Sequence, residues 1–167
     1  MKLTPSVLAV GVALLATSVA FPPPASAEER VCRGTIGAQT VDNLRVPQGA
    51  SCTLEGTRVQ GTVKVEANAR LFAASIRVVG NIQAEGHRQV VVRRSDIGGS
   101  IQLKQGGSAK VRANRVTQDV QSFTNRGAQT ISSNRIGGNL QCKSNIPKPT
   151  GSGNVVEGNK EDQCRNL

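Results

Sequence analysis

Apolar and polar residues alternate in short runs along the chain from Leu44 onwards, and Gly, Asn or Ser residues separate the runs. Val63-Lys64-Val65 is one such run, and Val90-Val91-Val92 followed by Arg93-Arg94 is another. A period of two residues is typical of a β-strand with one buried face, whereas an amphipathic helix repeats about every 3.6 residues. Abundant Gly and β-branched residues also disfavour helices. The pattern therefore predicts many short strands.

One of these runs recurs at a nearly constant spacing, in steps of 19, 19, 19 and 20 residues. Its second residue is always apolar: Val63, Ile82, Ile101, Val120 and Leu140, with Leu44 one step earlier. Two more apolar columns keep this spacing: Leu54, Ala73, Val92, Val111 and Ile131, and Val59, Val78, Ile97, Val116 and Ile136. Coils stacked about 4.8 Å apart would superimpose such residues into a continuous core.

We therefore predict an all-β fold, a single-stranded parallel β-helix (solenoid) of about 19 residues per coil with three strands in each. We expect the helix to be right-handed from its coil length and irregular turns. Beyond residue 27 the chain has no Trp or Tyr, and Phe72 and Phe123 are its only large aromatic residues, so small aliphatic side chains must build the core. A β-sandwich is the alternative, because hairpins also alternate, but a sandwich does not require a constant step.

Residues 1–27 have the layout of a cleaved secretory signal peptide. A single charge at Lys2 precedes an apolar run from Val7 to Ala20, then three prolines and the triplet Ala25-Ser26-Ala27. The run is shorter than the roughly 20 residues that span a bilayer, which disfavours a membrane anchor. We expect cleavage after Ala27, a single solenoid domain over residues 28–167 without a transmembrane segment, and a secreted or envelope-associated location.

The four cysteines are spaced by about one coil. Cys32 and Cys52 are 20 residues apart, and Cys142 and Cys164 are 22 apart. Residues one coil apart in a solenoid lie over each other at a distance that suits a disulfide. Of the three possible pairings, this geometry favours Cys32 with Cys52 and Cys142 with Cys164, one bridge at each end. A zinc site is the alternative, but Cys-x-x-Cys is absent and His87 is the only histidine. No metal and no cofactor is predicted.

Positive charge is in excess and recurs at the coil spacing. Removal of the signal leaves 20 Lys and Arg residues against 11 Asp and Glu residues, a formal charge of +9. The position before the third apolar column reads Arg58, Arg77, Asp96, Arg115 and Arg135. Guanidinium groups bind carboxylate or phosphate through two donors, so this column is a candidate site for a polymer with regularly spaced negative charge. Arg93 and Arg112 are further candidates; a solvated basic face is the alternative reading.

Two polar columns have structural interpretations. Lys64, Gln83, Gln102, Gln121 and Gln141 are predicted to face outward, with the Gln side chains stacked as a ladder of amides; a ligand groove is the alternative. Ser95, Asn114, Asn134 and Asn154 are predicted to serve the turns by adopting left-handed backbone.

Catalytic signals are weak. A glycosidase needs two carboxylates at a controlled separation, and Asp96 is the only acid on a strand column. His87 is predicted to lie in a turn without a catalytic partner.

The closing stretch, from Gly137-Gly138-Asn139-Leu140-Gln141-Cys142 to Gly158-Asn159-Lys160-Glu161-Asp162-Gln163-Cys164, resembles a family of uncharacterised secreted bacterial repeat proteins. The resemblance extends back to about Cys52. It implies a right-handed parallel β-helix and bacterial export, but no activity. The short coils resemble, more loosely, the polymer-forming bactofilins.

These observations favour a non-catalytic solenoid that binds an anionic polysaccharide or another cell-envelope polymer. Nucleic acid is disfavoured as a partner, because the aromatic platforms that bind single strands are missing. A structural protein that self-associates is the alternative function, and a carbohydrate-active enzyme is the third.

Overall fold

The structure, a computed structural model, describes residues 28–167, and it is built from β-strands throughout. The predicted signal peptide lies outside the described residues. The strands are β1 (Glu29–Val31), β2 (Gly34–Ile36), β3 (Thr40–Val41), β4 (Asn43–Val46), β5 (Ser51–Glu55), β6 (Arg58–Val59), β7 (Val63–Val65), β8 (Arg70–Ala74), β9 (Arg77–Val78), β10 (Ile82–Glu85), β11 (Gln89–Arg93), β12 (Asp96–Ile97), β13 (Ile101–Lys104), β14 (Ser108–Arg112), β15 (Arg115–Val116), β16 (Val120–Phe123), β17 (Gln129–Ser132), β18 (Arg135–Ile136), β19 (Leu140–Lys143), β20 (Val155–Val156) and β21 (Lys160–Asp162).

The strands form three parallel sheets, and up to β19 successive strands along the chain enter the three sheets in turn. Sheet A has the order β1-β4-β7-β10-β13-β16-β19-β21, sheet B is β2-β5-β8-β11-β14-β17, and sheet C is β3-β6-β9-β12-β15-β18-β20. The chain thus winds through about seven coils of about 19 residues, and each coil up to β19 adds one strand to each sheet. The last coil pairs with sheet B through an isolated bridge between Thr130 and Thr150. The predicted parallel β-solenoid is confirmed; its right hand stays a prediction.

The three predicted apolar columns lie in register at the centre. In sheet A, Ile82 pairs with Val63 on one side and Ile101 on the other. The columns in sheets B and C follow the same steps, and their members are almost fully buried. Because aliphatic side chains stack on equivalent side chains in each coil, the core fills without aromatic residues.

The corner between sheets B and C contradicts one prediction. The residue that adopts left-handed backbone is the one before the polar column: φ is 49° at Arg94, 55° at Ala113 and 55° at Ser133. The column itself, Ser95, Asn114, Asn134 and Asn154, is buried. The left-handed residue turns the chain so that the following side chain points inward.

Inside this corner the Asn side chains join successive coils. The Oδ1 atom of Asn134 accepts a hydrogen bond from the backbone N–H of Asn114 at 3.0 Å, and its Nδ2 donates to the carbonyl of Val111 at 2.9 Å. Asn154 repeats both contacts one coil further along. A buried amide is stable only when its donors and acceptors are paired. Burial in a hydrogen-bonded ladder therefore accounts for Asn at these positions.

A second ladder follows the corner between sheets C and A. Each side-chain oxygen accepts a hydrogen bond from the backbone N–H of the equivalent residue in the next coil, at distances of 2.7 to 3.3 Å. Its members are Asn43, Thr62, Asn81, Ser100, Asp119, Asn139 and Asn159. The corner needs a short side chain that carries an oxygen, and the residue type otherwise varies.

Both predicted disulfides are present at the ends of the stack. Cys32 is bonded to Cys52 with a Cα–Cα distance of 5.6 Å, and Cys142 is bonded to Cys164 with 5.2 Å. Each bridge links a terminal coil to the adjacent one, where one side of the coil has no neighbour. In the chain-entropy account, closing a loop of this length contributes about 3 kcal/mol to stability.

Candidate functional site

Sheet C carries the predicted arginine column on its outer face. Each of its strands has two residues, of which the first is exposed and the second buried along β6, β9, β12, β15 and β18. The register pairs Arg58 with Arg77, Arg77 with Asp96, Asp96 with Arg115 and Arg115 with Arg135. With strands about 4.8 Å apart, the column is about 19 Å long. We call these five residues the arginine column.

Two of the four arginines face carboxylates. Arg77 lies 3.6 Å from Asp96, with 58% and 56% of the two side chains exposed. Arg135 lies 3.2 Å from Glu157, and that pair is equally open to solvent. Exposed ion pairs contribute about 0 to 1 kcal/mol, so an incoming anion can displace them at small cost. Arg58 and Arg115 have no carboxylate within 4.0 Å among residues 28–167.

A groove of about 570 Å³ lies beside the middle three rungs of the arginine column. Arg77, Asp96 and Arg115 form one wall, and Val79, Gly98 and Thr117 form the other. A Cβ atom at Gly98 would collide with the carbonyl oxygen of Val79 in the coil before it. Glycine therefore lets the coils approach closely here, and no side chain fills the groove at this position. The groove is shallow and open, which suits a chain lying along it better than an enclosed small molecule.

Arg93 and Arg112 lie on a different face. They end strands β11 and β14 of sheet B and pair with each other in register. The structure thus does not bring them into the arginine column, because the corner with its left-handed Arg94 separates the two faces. Arg93 lines a second depression, which Lys110 shares.

The predicted outward glutamine ladder is formed in its last part. Nε2 of Gln121 donates to Oε1 of Gln141 at 2.9 Å, and Nε2 of Gln141 donates to Oε2 of Glu161 at 2.8 Å. Gln83 and Gln102 occupy the same column in register. This face of sheet A is occupied by contacts between the coils themselves, which fits a structural role.

His87 lies in the corner between β10 and β11, where the sequence places a turn, and its side chain is buried there. Its side chain is 1% exposed, and neither ring nitrogen has a hydrogen-bond partner in the described part of the chain. A Cβ atom at Gly106 would collide with the imidazole, so Gly106 makes the space for it. Burial lowers the pKa of His87 from 6.5 to about 4, and the nearby backbone of Ala84, which is not within hydrogen-bonding geometry of the ring, opposes this effect. A single histidine was too little signal to predict this from sequence.

Two patterns, a cluster of metal-ligating side chains and an apolar helix of membrane-spanning length, are not found in residues 28–167. No group of three or more His, Cys, Asp or Glu side chains there could hold a metal ion. No helix in that part of the chain is long and apolar enough to cross a membrane. Comparison with family models, curated proteins and solved structures finds no match for the chain.

Proposed function

We propose that the protein is a non-catalytic, secreted or envelope-associated solenoid that binds an anionic polymer along the arginine column. The observation that carries the proposal is the register of Arg58, Arg77, Arg115 and Arg135 on one face, with an open groove beside Arg77 and Arg115. Backbone pairing between coils fixes the spacing of these arginines. The backbone entropy lost in placing them is therefore lost on folding and not on binding. Location outside the cytoplasm is consistent with the two disulfides.

A linear polymer fits this surface better than a small anion. The column is about 19 Å long and exposes its guanidinium groups to solvent, where each single contact is weak. Four contacts of about 0.2 to 1 kcal/mol each would together contribute about 1 to 4 kcal/mol if one ligand made all of them. Such additivity requires a ligand with several linked negative groups. An acidic cell-envelope polysaccharide has this form.

The test is retention of the oxidised chain 28–167 on immobilised acidic polysaccharide across a salt series. Changing Arg58, Arg77, Arg115 and Arg135 to Gln should weaken binding about tenfold or more at low salt and flatten the salt dependence. The control changes the same number of exposed arginines outside the column to Gln, so that net charge is equal: Arg30, Arg33, Arg126 and Arg165. Equal losses in the two variants would refute a specific site and leave only general attraction.

Self-assembly is the second candidate, and the open ends of the stack favour it. In sheet A, β1 and β21 each pair with one neighbour and leave the other edge unpaired. Unpaired edges are templates for further strands. Sedimentation over a hundredfold range of concentration would test this candidate: growing oligomers support it, and a constant monomer contradicts it.

A further inference from the structure

A second candidate site lies on sheet B, away from the arginine column. We define the Phe72 patch as Phe72, Ala74, Val91, Arg93 and Lys110, which line one depression of about 350 Å³. The strands β8, β11 and β14 that carry them are consecutive, with Phe72 paired to Val91 and Val91 paired to Lys110. The five side chains are thus held on three neighbouring rungs by the backbone of the solenoid.

The centre of the patch is apolar and open. Phe72 is 36% exposed, and it is the only aromatic side chain among the exposed large hydrophobic residues of the described chain. Thr53 lies beside it in the coil before, and Val91 lies beside it in the coil after. About a third of the Phe72 surface is open to solvent, and this part presents an apolar surface to a ligand.

Two cations, Arg93 and Lys110, lie at one side of the patch, and one carboxylate, Glu55, lines the other side of the depression two rungs away from Arg93. Arg93 follows Val91 by two residues on the same strand, and Lys110 lies next to Val91 on the next. Neither has a carboxylate within 4.0 Å among residues 28–167. Gln89 lines the same depression and adds an amide donor and acceptor. An apolar platform beside two free cations complements a ligand that has an apolar face and an acidic edge.

We propose that the Phe72 patch binds a uronic acid residue of an acidic polysaccharide. The C–H face of the pyranose ring lies on the Phe72 ring, the carboxylate binds Arg93 and Lys110, and a hydroxyl group binds Gln89. This inference rests on the proposed function and narrows it, because it requires a polymer of sugar rings and not a bare polyphosphate chain. A single-stranded nucleic acid fits less well, since its successive bases use successive aromatic platforms and the neighbours of Phe72 are Thr53 and Val91.

Phe72→Thr is a suitable test variant because Thr53 and Thr130 already occupy the same outward column of sheet B. The change removes the platform and keeps a residue that strands favour. Thermal melting and far-ultraviolet circular dichroism should match those of the unchanged protein.

The measurement is isothermal titration of the oxidised chain 28–167 with a short oligogalacturonate and with the methyl ester of the same oligosaccharide. We expect the acid to bind, Phe72→Thr to weaken it about tenfold, and esterification to weaken binding to the unchanged protein by at least as much. Unchanged affinity in the Phe72→Thr variant, or equal affinity for acid and ester, would overturn the inference. The inference would also be overturned if Phe72→Thr weakened the binding of an oligothymidylate but left the binding of oligogalacturonate unchanged.

Failure of this inference is distinguishable from failure of the proposed function. If Phe72→Thr has no effect while the fourfold Arg→Gln variant of the arginine column loses binding, the Phe72 patch is refuted and the arginine column stands. If neither variant changes the binding of acidic polysaccharide, both proposals fail.

Discussion

His87 should make the stability of the solenoid depend on pH in a way that one substitution removes. The imidazole is buried beside Gly106, and neither nitrogen has a partner in the described chain. Leu is close to His in volume and does not titrate. His87→Leu therefore removes the titrating group, and it breaks no hydrogen bond because the ring nitrogens make none with residues 28–167. At pH 7 the substitution should therefore be neutral or stabilising.

The size of the effect follows from the lowered pKa. Burial takes the pKa of His87 from 6.5 to about 4. At 1.36 kcal/mol per pH unit this corresponds to about 3 kcal/mol. On acidification the unfolded chain takes up the proton first, at pH values near 6.5, so stability is present above that pH and is lost as the pH falls towards 4. Below about pH 4 both states are protonated and the loss is complete.

Urea denaturation at pH 7.5, 6.5, 5.5, 4.5 and 3.5 would measure it, with the disulfides intact. Carboxylates also titrate in this range, but they are common to both proteins and cancel in the difference. The free energy of unfolding of the unchanged protein minus that of His87→Leu should fall by about 3 kcal/mol between pH 7.5 and 3.5. A constant difference would show that the imidazole is solvated or paired, and would refute the reasoning.

Three further predictions concern the contacts between coils. Asn134→Ala removes the acceptor of the Asn114 N–H and of the Asn114 side-chain amide and one donor to the Val111 carbonyl, all in the interior. It should lower the free energy of unfolding by about 3 kcal/mol in urea titration; a change below about 1 kcal/mol would contradict the ladder. Changing Cys32 and Cys52 together to Ala should cost about 3 kcal/mol by the same assay, and an unchanged midpoint would refute a stabilising role for that bridge. Gly98→Ala should lower the melting temperature by several degrees because the new Cβ atom meets the Val79 carbonyl oxygen. Gly37→Ala is the control and should leave the melting temperature unchanged, because Gly37 has open space around it. Equal effects of the two changes would contradict the close approach of the coils at Gly98.

The sequence predicted the repeat well because the repeat is a property of spacing. Equivalent residues such as Val63, Ile82 and Ile101 recur at one step, and backbone pairing forces the same step on the structure. The disulfides followed from that spacing alone. The arginine column was predictable for the same reason, since the residue before a buried residue on a two-residue strand must face outward.

The corners could not be predicted in the same way. The choice of which residue is left-handed depends on the chain direction at a corner, and a pattern such as Arg94-Ser95 or Ala113-Asn114 does not encode it. The burial of His87 depends on the absence of a side chain at Gly106, one coil away. The Phe72 patch depends on which sheet a residue belongs to, and spacing along the sequence does not separate Arg93 on sheet B from the arginine column on sheet C.

The corner ladders make the length of a coil far more constrained than the number of coils. Every coil satisfies the hydrogen-bonding groups of its neighbours through positions that recur once per turn, 19 residues apart in the early coils and 20 residues apart in the later ones. A single extra residue is therefore accommodated only in a segment between these positions, where it leaves donors and acceptors aligned. A whole coil gained or lost restores each of these contacts, and each added coil would extend the outer faces of all three sheets together.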